Sequence, residues 1–166
     1  TTLAVSHISG VGKWLDDGIV PRRVGTALTA SVPSGAYPCR DGRVYLMVNR
    51  PAHWQALARW IHEETGNEEV LDPMFEGPSS RRIEYRELLD IFISDMTAKH
   101  DVEEIFHEGQ RRHIAFTPLA STEDVARDAH LAAREYFATV EHPALGPLRM
   151  PGAPFRHAAT PWAIRR

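Results

Sequence analysis

The most informative stretch of the 166-residue chain is FATVEHPALGPLRM, which spans residues 137–150 near its end. Phe137–Glu141 predicts one short strand, and Leu148–Met150 predicts a second strand that runs back beside it. Between them lie Pro143 and the pair Gly146-Pro147, which indicate a turn because proline fixes φ and glycine permits positive φ. The stretch is therefore predicted to be a β-hairpin at the edge of a sheet.

A second hairpin is predicted closer to the N-terminus. Ala36–Cys39 and Val44–Val48 are its candidate strands, and Asp41-Gly42 between them is a strong signal for a tight turn. Because Val44–Val48 is apolar throughout, we expect this strand to be buried on both faces or covered by a helix. The two hairpins lie far apart in the sequence, and we expect them to pair with each other in one small sheet.

Amphipathic helices are predicted between the hairpins. The first is expected to have its N-cap at Asn49 and to end at Gly66. A later one is expected to begin with a capping box of Asp101 and Glu104 and to end near Gly109. The apolar stripe of the first helix consists of Trp54, Leu57, Ala58 and Ile61. The longest stripe belongs to a helix between these two and consists of Tyr85, Leu88, Leu89, Phe92, Ile93 and Met96.

These elements predict an α+β fold, in which a small antiparallel sheet built from two hairpins is covered by several helices. The composition agrees, because 43% hydrophobic and 25% charged residues are ordinary for a globular domain. We expect residues 1–24 to be a linker or terminal connector and residues 25–166 to form the domain. Because the chain begins with Thr1 instead of methionine, we also expect a fragment of a longer protein, with a processed N-terminus as the alternative.

Charge and cysteine content exclude several classes of partner. A formal net charge of −3 gives no electrostatic basis for binding nucleic acid or a membrane surface. The sequence contains no apolar run long enough to span a bilayer. The single cysteine, Cys39, excludes an internal disulfide and fits a reducing compartment. We therefore expect a cytoplasmic protein that binds neither nucleic acid nor a membrane.

Residue patterns that carry chemistry are weak in this chain. His107 and His113 are six residues apart, whereas a zincin helix places its two histidines roughly one turn apart. We therefore expect no bound metal. Nothing in the sequence supplies a base next to Cys39, so we assign no catalytic residue. The arginine pairs at residues 22–23, 111–112 and 165–166 are either solvated surface or sites for an anion.

Two longer sequence segments resemble those of a known family. Residues 35–48 read GAYPCRDGRVYLMV, and residues 141–154 read EHPALGPLRMPGAP. In combination they resemble the family III CoA-transferases, also called the carnitine dehydratase/bile-acid-inducible protein F family, and the resemblance covers nearly the whole chain. It implies one linker and the small domain of an enzyme whose CoA-binding domain and catalytic aspartate precede this stretch. It also implies an interlocked homodimer that acts on an acyl-CoA and a carboxylic acid, with the coenzyme A thioester as substrate and no tightly bound cofactor.

The sequence departs from the family's pattern at two places. Oxalate-handling members have a run of glycines before the first hairpin, and Thr26–Ser31 contains none, which argues against oxalate chemistry. The α-methylacyl-CoA racemase branch resembles this chain but has a glutamate where Arg50 stands, which weakens a racemase assignment. Arg50 could pair with the carboxylate of a dicarboxylic acyl group, or it could be a solvated residue at a helix start.

The resemblance implies that the small domain closes over the acyl end of CoA. Residues flanking the hairpin tip or its exit are therefore the candidates for substrate binding: Ser31 and Ser34 in the loop Thr29–Ser34, then Tyr37, Asn49 and Arg50. Two alternatives stay open. One is a racemase-like member of the family, and the other is a non-catalytic dimerisation or interaction module that binds a partner through exposed apolar surface.

Overall fold

The structure, a computed structural model, describes residues 11, 12, 14, 15, 18, 20, 25–28 and 31–163. It divides into two compact units, one ending at Leu119 and the other beginning at Ala120. Most of the expected linker Thr1–Val24 lies outside the described residues, as do Thr29 and Ala30 of the candidate loop.

The first unit contains a three-stranded antiparallel sheet with the strand order β1-β2-β3. Its strands are β1 (Ser34–Pro38), β2 (Arg43–Met47) and β3 (Ala115–Pro118). The predicted hairpin is confirmed, since Tyr37 on β1 lies opposite Val44 on β2. In the connecting turn the N–H of Cys39 donates to the carbonyl oxygen of Gly42 at 2.9 Å.

Helices follow β2 in the order that the apolar periodicity predicts. They are α1 (Pro51–Thr65), α2 (Arg86–Thr97) and α3 (Val102–Arg111), with short 3-10 segments at Glu69–Leu71, Pro73–Phe75 and Ser79–Tyr85 between α1 and α2. The N-cap of α1 is Arg50 and not Asn49, whereas its end at Gly66 is as predicted, with a φ of 71°. The capping box of Asp101 and Glu104 is present at the start of α3. That helix ends at Arg111, two residues beyond Gly109 and thus near the predicted end.

The core lies between the sheet and these helices. Val44, Leu46 and Val48 are fully buried, while Tyr45 and Met47 between them are half-buried. The central strand is therefore covered by helices, as its apolar run predicts. The other large apolar side chains with almost no exposed surface are Trp54, Trp60, Leu57, Ile61, Phe75, Leu89, Ile93, Met96, Ile105 and Phe116.

The second unit contains two short helices and a two-stranded antiparallel sheet. These elements are α4 (Thr122–Arg127), α5 (Ala129–Ala133), β4 (Phe137–His142) and β5 (Gly146–Pro151). The predicted hairpin is confirmed, with Val140 opposite Leu148 and a φ of 73° at Gly146. Among residues 120–163 no side chain is fully buried. This unit thus has regular secondary structure without a dry core of its own.

The α+β class is confirmed, but the expectation that the two hairpins pair in one sheet is wrong. In the described part of the chain the strands form two separate sheets. β3 pairs with the second edge of β2, where Leu46 lies opposite Phe116. Because β2 then has a neighbour on each side, its backbone groups are satisfied without the C-terminal hairpin. No helix among the described residues is both long and apolar enough to cross a bilayer.

Candidate functional site

An open cleft of about 540 Å³ lies beside β1 in the first unit. One wall comes from residues 25–27 and from β1, and Arg43 at the start of β2 contributes to the rim. The opposite wall is one face of α2, which presents Arg86, Asp90 and Ser94. These three residues share a face because side chains four apart on a helix lie one above the other.

Tyr37 and Asp90 connect the two walls of this cleft. The Tyr37 hydroxyl donates to Oδ1 of Asp90 at 2.6 Å, and the tyrosine is only 3% exposed. Burial, with the neighbouring Asp90 carboxylate as a second cause, raises the pKa of Tyr37 above its usual range. The phenol is therefore a neutral hydrogen-bond donor at any physiological pH.

Ser31 and Ser34 organise the loop that precedes β1. The Ser34 hydroxyl donates to the carbonyl oxygen of Ser31 at 2.6 Å and accepts from the N–H of Leu28 at 3.0 Å. The Ser31 hydroxyl donates to the carbonyl oxygen of Val48 at 2.9 Å. Both serines are buried, and only Ser34 lines the cleft. Their hydroxyls are thus engaged with backbone groups, which fixes the shape of the loop.

Arg86 and Asp90 are residues that sequence reasoning missed. Arg86 donates from Nη2 to the carbonyl oxygen of Leu28 at 2.7 Å, and from Nη1 to that of Ser34 at 3.3 Å. The available signal was a pair of polar residues four apart on a helix whose other face carries the apolar stripe. That signal reveals the spacing on α2, but not that this face meets β1.

Asn49 and Arg50 are placed elsewhere by the fold. Both are exposed residues between β2 and α1, and neither belongs to the described lining of the cleft. The carbonyl oxygen of Arg50 accepts from the N–H of His53 at 3.1 Å, which starts the helix. Of the five substrate-binding candidates, the structure brings together Ser31, Ser34 and Tyr37. Substrate binding by any of the five stays a prediction.

The thiol of Cys39 and the arginine pair at residues 111–112 are the next groups that could carry chemistry. Burial, together with the charges of Asp41 and Asp101, raises the pKa of Cys39 to about 11, so that its thiol is protonated at neutral pH. Arg111 and Arg112 both donate to Glu108, at 2.7 and 2.6 Å. The two other pairs named above, at residues 22–23 and 165–166, lie outside the described residues. Within the described chain no three His, Cys, Asp or Glu side chains are grouped so that they could hold a metal ion.

The charges around the cleft favour a ligand with negative charge. Arg43 and Arg86 contribute two guanidinium groups against the one carboxylate of Asp90. The Ser34 and Tyr37 hydroxyls already donate within the protein, and Arg86 already binds backbone carbonyl oxygens. The exposed guanidinium of Arg43 is therefore the group best placed to bind a carboxylate. The arrangement is therefore suited to binding a polar, negatively charged group.

Comparison with known proteins points to one family. The family model described as CoA-transferase family III matches residues 3–166. The chain is 28% identical over 140 residues to the succinyl-CoA:(R)-benzylsuccinate CoA-transferase subunit BbsE of Thauera aromatica, covering 78% of this chain and 33% of that protein. It is 29% identical over 147 residues to the formyl-CoA:oxalate CoA-transferase of Streptomyces avermitilis, covering 86% and 34%. The chain thus spans about a third of the length of these curated relatives.

Solved structures share the fold. A CAIB/BAIF family protein from Brucella suis is similar with a TM-score of 0.70 and 17% identity, over 96% of this chain and 40% of that one. At this identity the similarity concerns the fold alone.

Proposed function

Because this chain belongs to CoA-transferase family III, we propose that it is the small-domain portion of an acyl-CoA:carboxylate CoA-transferase. In this proposal the domain, residues 25–166, closes over the acyl end of CoA, and residues 1–24 connect it to the rest of the enzyme. The match of the family to residues 3–166 is the observation that carries the proposal. The curated relatives support it, since their names describe CoA-transferases.

The cleft beside β1 is the proposed contact with the acyl group. Arg43 at its rim has an exposed guanidinium, which suits a substrate that carries a free carboxylate, whereas Arg86 is engaged with the loop. Tyr37 and Ser34 line it, and Ser31 supports the loop. Asn49 and Arg50 are proposed to contact substrate from outside this cleft, at the exit of the hairpin.

The proposed substrates are an acyl-CoA and a carboxylic acid, with the coenzyme A thioester as substrate and no tightly bound cofactor. One relative handles oxalate, but the loop Thr26–Ser31 lacks glycine, so we propose a larger acyl group here. We further propose a homodimer in the cytoplasm, with neither nucleic acid nor a membrane as a partner.

No catalytic residue is proposed within this chain. The curated relatives are about three times longer, and we propose that catalysis requires the part of the enzyme that this chain does not match. The test is an assay of CoA transfer from succinyl-CoA to a free carboxylic acid, with the purified chain and with the product of the complete gene. We expect transfer only by the complete product. Robust transfer by the chain alone would contradict the proposal.

A non-catalytic dimerisation or interaction module is the second candidate. It is favoured by the second unit, in which Leu145 is 68% and Phe155 70% exposed although both side chains are large and apolar. Light scattering of the purified chain over a range of concentrations tests it. A monomer at every concentration would contradict the dimerisation form of this alternative.

A further inference from the structure

Two arginines four residues apart reach the same loop beside the cleft. Arg82 belongs to the 3-10 segment Ser79–Tyr85, and Arg86 is the first residue of α2. The loop comprises residues 28 and 31–34 among those described, and its N-terminal neighbours 25–27 line the cleft. Neither guanidinium forms an ion pair with a carboxylate in the described part of the chain. The hydrogen bonds that their donors form go to backbone carbonyl oxygens instead.

Arg86 holds the loop from the side of the cleft. Its Nη2 donates to the carbonyl oxygens of Leu28 and Ser31 at 2.7 and 3.3 Å, and its Nη1 donates to that of Ser34 at 3.3 Å. Three carbonyl groups spread over seven residues thus converge on one planar, charged group. Hydrogen bonds from an ionised donor are stronger than those between neutral groups, and a guanidinium offers its donors in a fixed geometry.

Arg82 holds the same loop from the core. Its side chain is fully buried, with the guanidinium over the ring of Trp54 at 4.8 Å. Nε donates to the carbonyl oxygen of Val32 at 2.8 Å, and Nη1 donates to the carbonyl oxygens of Phe75 and Gly77 at 2.8 and 3.2 Å. These bonds of Nε and Nη1 offset part of the cost of burying the charge, while Nη2 has no hydrogen-bond partner among the described residues. This residue therefore ties the loop to the segment before α2.

We propose that Arg86, with Arg82 as its buried anchor, is a positioning residue that fixes the loop against α2 and thereby sets the shape of the cleft for the acyl group. The proposal rests on the function proposed above, because it assigns the cleft to the acyl group. Arg86 acts through the loop, whose carbonyl groups it binds, and its role is to keep the wall that contains Ser34 in place. Loss of the guanidinium should free the loop while α1 and α2 stay folded, since the core under them does not include Arg86.

We call the hydrogen bonds from Arg86 and Arg82 to the loop the arginine clamp. Amide hydrogen exchange tests this clamp in the purified chain. Two backbone amides report on the loop, because the N–H of Leu28 donates to the Ser34 hydroxyl and the N–H of Val48 donates to the carbonyl oxygen of Pro33. In Arg86→Gln we expect both amides to exchange faster by about tenfold or more, with the amide of Ile61 in α1 unchanged. Unchanged exchange at Leu28 and Val48, or a uniform increase that includes Ile61, would overturn the clamp.

Two further variants separate the effect of the guanidinium geometry at Arg86 from the effect of net charge. Arg86→Lys retains the charge but cannot bind three carbonyl groups in one plane, so we expect it to restore protection only in part. Arg81→Gln is the matched control, because Arg81 is an exposed arginine in the 3-10 segment just before α2. It should leave the exchange of Leu28 and Val48 as in the parent chain. Equal effects of Arg81→Gln and Arg86→Gln would assign the change to net charge and overturn the clamp.

The role toward the acyl group is tested in the complete gene product. In Arg86→Gln we expect kcat for CoA transfer to fall by about tenfold or more while KM for the acyl-CoA stays nearly constant, because a misplaced wall affects the reacting geometry more than CoA binding. Arg86→Lys should recover part of kcat, and Arg81→Gln should match the parent. An unchanged kcat would overturn the positioning role. A parent enzyme without any transferase activity would overturn the proposed function and this role together, while the exchange experiment would still decide the clamp.

Discussion

The hydroxyl of Tyr37 donates to the carboxylate of Asp90 at 2.6 Å, across 53 residues of sequence. This bond joins β1 to the face of α2 that lines the cleft. It is made by a tyrosine that is almost fully buried, whereas its acceptor is half-buried. The geometry of the cleft therefore depends on a polar contact between the sheet and the helix, in addition to the arginine clamp on the loop.

Removing the Tyr37 hydroxyl should cost stability. A hydrogen bond to a charged group contributes roughly 1.5–3 kcal/mol, and because Asp90 is partly exposed we expect Tyr37→Phe to lower the free energy of unfolding by about 1–2 kcal/mol. Urea denaturation measures the change. Tyr45→Phe on β2 is the control, since Tyr45 is half-buried. It should lower stability by about 0.5 kcal/mol or less. Equal losses in the two variants would contradict a specific role of the bond to Asp90.

Replacing the buried guanidinium of Arg82 should lower the free energy of unfolding by more than Tyr37→Phe does. Arg82→Met leaves the carbonyl oxygens of Val32, Phe75 and Gly77 without the donor that binds them now. Because a buried acceptor left unsatisfied costs roughly 1–3 kcal/mol, we expect a loss of about 3 kcal/mol or more in the free energy of unfolding. Arg81→Met, next to it but exposed, should change stability by about 0.5 kcal/mol or less. A stable Arg82→Met variant would show that the three acceptors find other donors.

Local structure was readable from the sequence where one short stretch determines it. The turn at Asp41-Gly42 and the turn before Gly146 predict both hairpins, because their backbone conformations favour those residue types. The spacing of Trp54, Leu57 and Ile61 predicts α1 for the same reason, since the helical period is visible within the stretch.

Pairing between segments distant in the sequence could not be predicted in this way. β3 has only four residues, and its pairing with β2 depends on α3, which returns the chain to the edge of the sheet. Likewise, the family resemblance points to Tyr37 but not to Asp90 or Arg86, because their approach to β1 depends on how α2 packs. Side chains that meet only through tertiary packing leave no local pattern.

Gly109 should be required for the packing of α3 against β3. A Cβ at this position would lie 3.0 Å from Cδ2 and 3.2 Å from Cβ of Phe116, and 3.4 Å from the carbonyl oxygen of Ile114. Alanine would favour the helix by about 1 kcal/mol over glycine, but overpacking of a core typically costs about 1–3 kcal/mol. We therefore expect Gly109→Ala to reduce stability overall, as measured by thermal and urea unfolding.

Phe116→Leu provides the matched test of this contact. Leucine retains Cβ but is smaller and can adopt another rotamer, so it should relieve the contact at Cδ2, and the double variant should lose less than the sum of the two single losses. Strict additivity, or a gain of stability in Gly109→Ala alone, would contradict the packing role of the glycine.

The alkylation rate of Cys39 should keep rising to an unusually high pH. Burial and the nearby Asp41 and Asp101 carboxylates raise the pKa of this thiol to about 11, whereas an ordinary cysteine titrates near about 8.5. Only the thiolate reacts with iodoacetamide, and a raised pKa lowers the thiolate fraction at every pH below it. The alkylation rate should therefore rise about tenfold per pH unit from pH 7 to 10 without reaching a plateau. The urea-unfolded chain, measured in parallel by mass spectrometry, should level off near pH 9. A plateau near pH 9 in the folded chain as well would show that the thiol is neither shielded nor affected by the two carboxylates.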